Sequence, residues 1–148
     1  MTGVTAIVLD TNIVLDVFVF KDAAAQPLKA ALVAGEADWL ATAAMREELA
    51  RVLAYPQIVP RLAFYGLAAG DVLAAFDRHA RLVPVATKAR VTCRDADDQK
   101  FIDLAVAHRA PLLSKDRAVL CMKKRLLALG VTVQSAMVSP AAADLQAH

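Results

Sequence analysis

Residues 4–12 read VTAIVLDTN, a run of β-branched and aliphatic residues that ends in polar ones. Such a short apolar run is typical of a buried strand, and the polar residues behind it indicate a turn. A helix is expected to follow, with Thr11 or Asn12 as its N-cap. The stretch therefore predicts a strand–turn–helix unit with Asp10 at the carboxyl end of the strand.

The rest of the chain repeats this alternation of short apolar runs and amphipathic segments. It predicts strands at 38–41, 82–85, 111–113 and 131–134, and helices at 24–33, 43–53, 70–79, 97–108 and 117–129, while 60–67 is ambiguous. Strands that alternate with helices form a parallel sheet covered on both faces. We therefore expect one α/β domain over residues 1–138, with a flexible tail at 139–148.

Length and composition limit the class of protein. The chain has 148 residues, of which 58% are hydrophobic and 22% charged, so it has enough apolar surface for one core and is not a disordered chain. Cys93 and Cys121 fit neither a CxxC pair nor a zinc-ligand pattern, which favours a reduced cytoplasmic protein with free thiols. No signal peptide and no membrane span are expected.

The charge is spread unevenly along the chain. Residues 1–77 contain five Lys/Arg and nine Asp/Glu, a net charge of −4, whereas residues 78–148 contain twelve and six, a net charge of +6. A basic half of this kind attracts phosphate backbones, but a solvated surface has the same composition. Charge alone leaves both interpretations open.

Two acidic residues follow predicted strands. Asp10 comes directly after the first strand, and Asp116 comes shortly after residues 111–113. Functional groups of open parallel sheets gather beyond the carboxyl ends of the strands. An acid at a strand-to-helix turn is also a good helix cap, so each position has two interpretations.

Glu48 lies beside the apolar stripe of its predicted helix. It stands three residues after Met45 and four before Val52, whereas its neighbour Glu47 is rotated toward solvent. A carboxylate directed toward a core needs a partner, because unpaired burial costs several kcal/mol. Arg46, Arg51 or a metal ion are the candidate partners.

The segment before the helix at 97–108 contains three acids, Asp95, Asp97 and Asp98. Acids favour a helix N-terminus, but one cap needs only one carboxylate. Asp98 also shares a helical face with Ile102 and Ala105, so its side chain is expected to lean toward the packed side.

Convergence of these acids would have a definite chemical consequence. Two carboxylates ~4 Å apart repel by ~4 kcal/mol at an effective dielectric constant of ~20, so several together must take up protons or bind a cation. Oxygen ligands favour Mg²⁺ or Mn²⁺. A hard cation beside a basic surface is suited to hydrolysis of phosphodiester bonds.

Other chemistries have weaker support in the sequence. Neither a P-loop nor a GxGxxG motif is present, and the three histidines are scattered. Two alternatives to a nuclease remain: a phosphohydrolase that phosphorylates Asp10, although Asn12 stands where that chemistry usually has a second acid, and a non-catalytic partner-binding domain whose acids only cap helices.

Four motifs occur in an order that resembles a known family. They are VLDTNIVL (8–15), REELARVL (46–53), DADDQKFIDLA (95–105) and LLSKD (112–116). Together they resemble PIN-domain nucleases, and in particular the VapC-like toxins of bacterial toxin–antitoxin pairs, over residues 4 to about 133. The resemblance implies an α/β/α sandwich with a mainly parallel central sheet.

The resemblance also implies roles for individual residues. Asp10, Glu48, Asp98 and Asp116 are similar to the catalytic metal ligands, with Asp95 as a candidate fifth acid. Asn12 and Ser114 correspond to supporting residues. If the chain cleaves RNA, its basic residues Arg94, Lys115 and Arg117 are the candidates to hold the RNA backbone through electrostatic contacts. A PIN-domain toxin of this type implies a Mg²⁺- or Mn²⁺-dependent endoribonuclease, a homodimer and a cognate antitoxin.

Overall fold

The computed structural model describes residues 4–137, so the tail expected at 139–148 lies outside the described residues. Five strands form one sheet: β1 (Thr5–Leu9), β2 (Ala37–Ala41), β3 (Ala80–Leu82), β4 (Leu112–Leu113) and β5 (Val133–Gln134). The strand order is β3-β2-β1-β4-β5, and each neighbouring pair is parallel.

Helices flank this sheet, which confirms the predicted α/β/α architecture. In β1 the consecutive residues Ile7, Val8 and Leu9 are all buried, and successive side chains of a strand point to opposite faces, so both faces of the sheet are covered. The helices among the described residues are α1 (Thr11–Phe18), α2 (Gln26–Val33), α3 (Ala43–Leu53), α4 (Val59–Phe64), α5 (Ala69–His79), α6 (Gln99–His108), α7 (Arg117–Leu120) and α8 (Lys123–Leu127).

Several predicted boundaries are wrong. The helix expected at 117–129 is two short helices separated at Cys121 and Met122, although Met122 remains fully buried and the apolar stripe continues across the break. Strand β3 begins two residues earlier than expected, directly after α5. The ambiguous segment 60–67 contains helix α4, with Pro60 in its first turn, where a missing N–H costs no hydrogen bond.

The order of the strands reverses its direction between β1 and β4. The chain passes from β1 to β2 and β3 on one side and later returns to β4 and β5 on the other. The connections leave the carboxyl ends of β1 and β4 in opposite directions, which creates the topological switch point where open α/β sheets bind ligands. No helix among the described residues is long and apolar enough to cross a membrane.

Candidate metal centre

Three carboxylates meet at the carboxyl ends of β1 and β4. Asp10 follows β1, Asp116 follows β4, and Asp98 immediately precedes α6. One carboxylate oxygen from each residue lies within 4.8 Å of the other two, and both Asp10 and Asp98 are buried. We call these three residues the acid cluster.

Helix capping accounts for only one of the three. Asp116 Oδ1 accepts a hydrogen bond of 2.9 Å from the backbone N–H of Ala118, so this residue caps α7. Asp10 and Asp98 occupy the N-cap positions of α1 and α6, but neither side chain makes a capping bond. The prediction of Thr11 or Asn12 as the cap of α1 is therefore wrong.

The side chain of Ser114 connects two members of the acid cluster. Its hydroxyl donates to Asp10 Oδ2 at 2.6 Å and accepts from the backbone N–H of Asp116 at 3.0 Å. Ser114 is fully buried, so both bonds are protected from water. Asn12, the other residue expected to support the site, has a buried Oδ1 without a hydrogen-bond partner.

Burial and mutual repulsion change the proton affinity of the acid cluster. Burial raises the pKa of Asp98 from its ordinary value of 3.8 to about 8, and the negative charges of Asp10 and Asp116 act in the same direction. The pKa of Asp10 is also raised, above all by burial, although the Ser114 hydroxyl partly opposes that effect. Without a cation, the cluster therefore retains a proton at neutral pH.

Glu48 lies near the acid cluster but is paired within the protein. Its Oε1 accepts from Lys100 Nζ at 2.6 Å, and its Oε2 accepts from the Thr11 hydroxyl. The prediction that Arg46 or Arg51 pairs with Glu48 is therefore wrong. Arg46 forms two hydrogen bonds with the Asp77 carboxylate instead, at 2.7 and 2.8 Å.

Sequence reasoning missed Lys100. The available signal was its place in the first turn of α6, where a positive charge opposes the helix dipole and needs an acidic partner. In the same turn, the Gln99 side chain joins the preceding loop to α6 by accepting from Cys93 N at 2.7 Å and donating to Asp103 Oδ1 at 2.7 Å.

Asp95 lies outside the acid cluster. It is exposed, and its Oδ1 accepts from the backbone N–H of Asp97 at 3.0 Å, as expected of a cap of the short 3-10 turn Ala96–Asp98. Its negative charge contributes to the raised pKa of Asp98, after burial and the other acids of the cluster. Asp95 therefore acts on the cluster through its charge, at a distance.

The three expected RNA contacts differ in their surroundings. Arg94 and Arg117 are exposed; Arg94 comes four residues before Asp98, and Arg117 directly follows Asp116. Lys115 Nζ lies 2.5 Å from Asp16 Oδ2, and the Asp16 side chain is only 8% exposed. Since a buried carboxylate needs its counter-charge, Lys115 has a structural partner that the two arginines do not share.

The chain is similar to one known protein family. Residues 6–118 match the family model described as PIN domain. The chain belongs to the PIN domain family. The matched stretch contains Glu48 and the whole acid cluster, and PIN domains are generally nucleases. Among curated proteins, none matches the sequence of this PIN domain significantly.

The acid cluster of this PIN domain has the donors that a divalent cation requires. All three groups offer carboxylate oxygens, the ligands that Mg²⁺ and Mn²⁺ prefer. Asp98 Oδ2 is buried without a hydrogen-bond partner, and an unsatisfied buried oxygen is costly unless a proton or a cation occupies it. The residues present therefore fit a metal ion.

Proposed function

We propose that this PIN domain is a metal-dependent endoribonuclease that hydrolyses RNA phosphodiester bonds with Mg²⁺ or Mn²⁺. The observation that carries the proposal is the meeting of Asp10, Asp98 and Asp116 at the switch point of a PIN-family sheet, with one buried oxygen of Asp98 unpartnered. If these acids only capped helices, their side chains would make capping hydrogen bonds, and those of Asp10 and Asp98 make none.

In this proposal the acid cluster coordinates the ion, and neighbouring residues orient the cluster through hydrogen bonds. A bound divalent ion supplies an activated water and neutralises charge on the phosphate. Ser114 orients the Asp10 carboxylate and anchors the backbone at Asp116. The Ala118 N–H fixes the orientation of the Asp116 carboxylate through its Oδ1. Such preorganised donors lower the cost of assembling the transition state.

Metal binding to the folded protein is the direct test of this proposal. At a Mn²⁺ concentration of 100 times Kd, a site present only in the folded state adds about 2.7 kcal/mol of stability, which is about 5–10 °C in Tm for a chain of this size. The measurement is thermal denaturation with Mn²⁺ and with EDTA, beside RNA cleavage in the same buffers. Equal Tm values and no cleavage in either buffer would refute the proposal.

The exposed arginines Arg94 and Arg117 are the proposed contacts to the RNA backbone. We expect Arg94→Gln and Arg117→Gln to raise KM for RNA several-fold with little change in kcat, and to reduce the salt dependence of binding by about one charge each. Arg109→Gln is the matched control, because Arg109 is exposed and precedes β4, at the opposite edge of the sheet. An equal effect of all three substitutions would contradict the assignment.

We further propose that the protein is the toxin of a toxin–antitoxin pair, a cytoplasmic homodimer whose antitoxin covers the acid cluster. The order of the four sequence motifs supports the toxin role. The free thiols of Cys93 and Cys121 support a cytoplasmic location, and the exposed apolar side chains of Val59 and Phe64 on α4 support a surface that a partner chain covers. We expect expression in a bacterium to arrest growth and co-expression of a small neighbouring gene to relieve the arrest. Normal growth with active protein present would exclude the toxin role.

A further inference from the structure

The ammonium group of Lys100 binds Glu48 and the backbone next to Asp98. Its Nζ donates to Glu48 Oε1 at 2.6 Å and to the backbone carbonyl of Asp97 at 2.5 Å, and only 26% of its side chain is exposed. Asp97 directly precedes Asp98, so the ammonium group is tied to the same chain segment as a member of the cluster. Lys100 is therefore a fixed positive charge at the edge of the centre.

Glu48 differs from the acid cluster in the occupancy of its oxygens. Lys100 donates to one of them and the Thr11 hydroxyl donates to the other. Asp98, by contrast, has a buried oxygen with no donor at all. Each Glu48 oxygen keeps a second lone pair, so the feature that sets Glu48 apart is the positive charge of Lys100 bound to it, whereas Asp98 offers a buried oxygen that no protein donor occupies.

The Lys100–Glu48 pair bears on how many metal ions the centre needs. Nucleases that use carboxylates often place two metal ions about 3.5–4 Å apart, and the second ion needs its own acidic ligand. Glu48 is the carboxylate beside the cluster that would serve it. The ammonium group of Lys100 supplies a compact positive charge on the carboxylate that a second ion would use.

We propose that Lys100 takes the place of a second metal ion, so that the centre holds one divalent ion on Asp10, Asp98 and Asp116 and uses the Lys100–Glu48 pair as its fixed partner charge. The inference rests on the proposed metal-dependent function and specifies its stoichiometry. Lys100 acts here through Glu48 and is a positioning residue.

The test is the number of Mn²⁺ ions bound per chain, measured by calorimetric titration and by the electron paramagnetic resonance signal of free Mn²⁺. We expect one ion for the wild type and two for Lys100→Met, which frees Glu48. The double variant Lys100→Met/Glu48→Gln should return to one ion, because the second ion loses its ligand. Lys123→Met, which removes an exposed lysine, is the matched control and should bind one.

The possible results distinguish the role of Lys100 from the proposed metal-dependent nuclease function. Two ions in the wild type, or one ion in a folded Lys100→Met protein, would overturn the role of Lys100 and leave the nuclease proposal standing. No ion in the wild type would remove both. Circular dichroism establishes folding of each variant, and if Lys100→Met does not fold, the same titration of Lys100→Gln decides by the same criterion.

Discussion

Replacement of Asp10 by asparagine is expected to lower the rate of RNA cleavage by at least about 100-fold without loss of the fold. The buried Asp10 carboxylate lies in the acid cluster, and removal of one preorganised group that stabilises transition-state charge costs about 10²–10³ in rate. Asparagine has the same shape, and its amide oxygen still accepts a hydrogen bond from Ser114. Initial rates on a fluorescent RNA with Mn²⁺ measure the effect.

Glu47→Gln is the matched control for this experiment. Glu47 is an exposed acid on α3, adjacent in sequence to Glu48, and its substitution removes one negative charge without touching the cluster. We expect this variant to cleave at the wild-type rate. A folded Asp10→Asn protein that cleaves as fast as the Glu47→Gln protein would show that the acid cluster is not the catalytic centre.

Asp98→Asn is expected to make the metal-free protein more stable while abolishing its stabilisation by Mn²⁺. The Asp98 side chain is buried with one oxygen unpartnered, and burial together with the neighbouring acids raises its pKa to about 8. At pH 8–9 in EDTA the wild type must keep this group ionised against that environment. The neutral amide avoids the cost, and we expect a rise in Tm of about 5–10 °C.

The pH dependence of the metal-free wild type follows with a definite sign. The folded protein holds a proton on Asp98 up to about pH 8, whereas the unfolded chain releases it near the ordinary value of 3.8. Between these limits the folded state binds more protons, so the contribution of Asp98 to stability is fully present below its unfolded pKa and is lost as the pH rises toward its folded pKa. The gap between the two pKa values corresponds to several kcal/mol.

Denaturant unfolding in EDTA from pH 5 to 9 measures this dependence. We expect the free energy of unfolding to fall with pH in the wild type and to change much less in Asp98→Asn. Asp97→Asn is the matched control, because Asp97 is an exposed acid next to Asp98, and it should follow the wild type. A wild-type profile that is flat across this range would contradict the assigned burial cost.

Local patterns predicted the elements whose side chains obey a simple period. Helix α3 was expected at 43–53 and is observed at Ala43–Leu53, because its apolar stripe is a direct consequence of 3.6 residues per turn. Strand β1 and the position of Asp10 behind it were equally local. The prediction of one helix at 117–129 was wrong because the apolar stripe continues across a turn that interrupts the helical backbone.

Ion pairing could not be predicted in the same way. Arg46 and Arg51 were the natural partners for Glu48 on one helix, yet Glu48 binds Lys100, which is 52 residues away in the chain. Lys115 pairs with the buried Asp16 of α1, a partner that no sequence pattern indicated. A charged side chain pairs with whichever group the packing of distant elements brings within reach, and sequence spacing does not report that distance.

Local sequence patterns were enough to predict the alternation of strands and helices, the α/β class and the acids that follow strand ends, because backbone geometry and burial act over a few neighbouring residues. Which carboxylate oxygens meet depends on tertiary packing. Ser114 reaches Asp10 across 104 residues because β1 and β4 are neighbours in the sheet, and Asp98 joins them because α6 packs against both strands. Such contacts depend on the mutual placement of whole elements, which the global packing of the core sets.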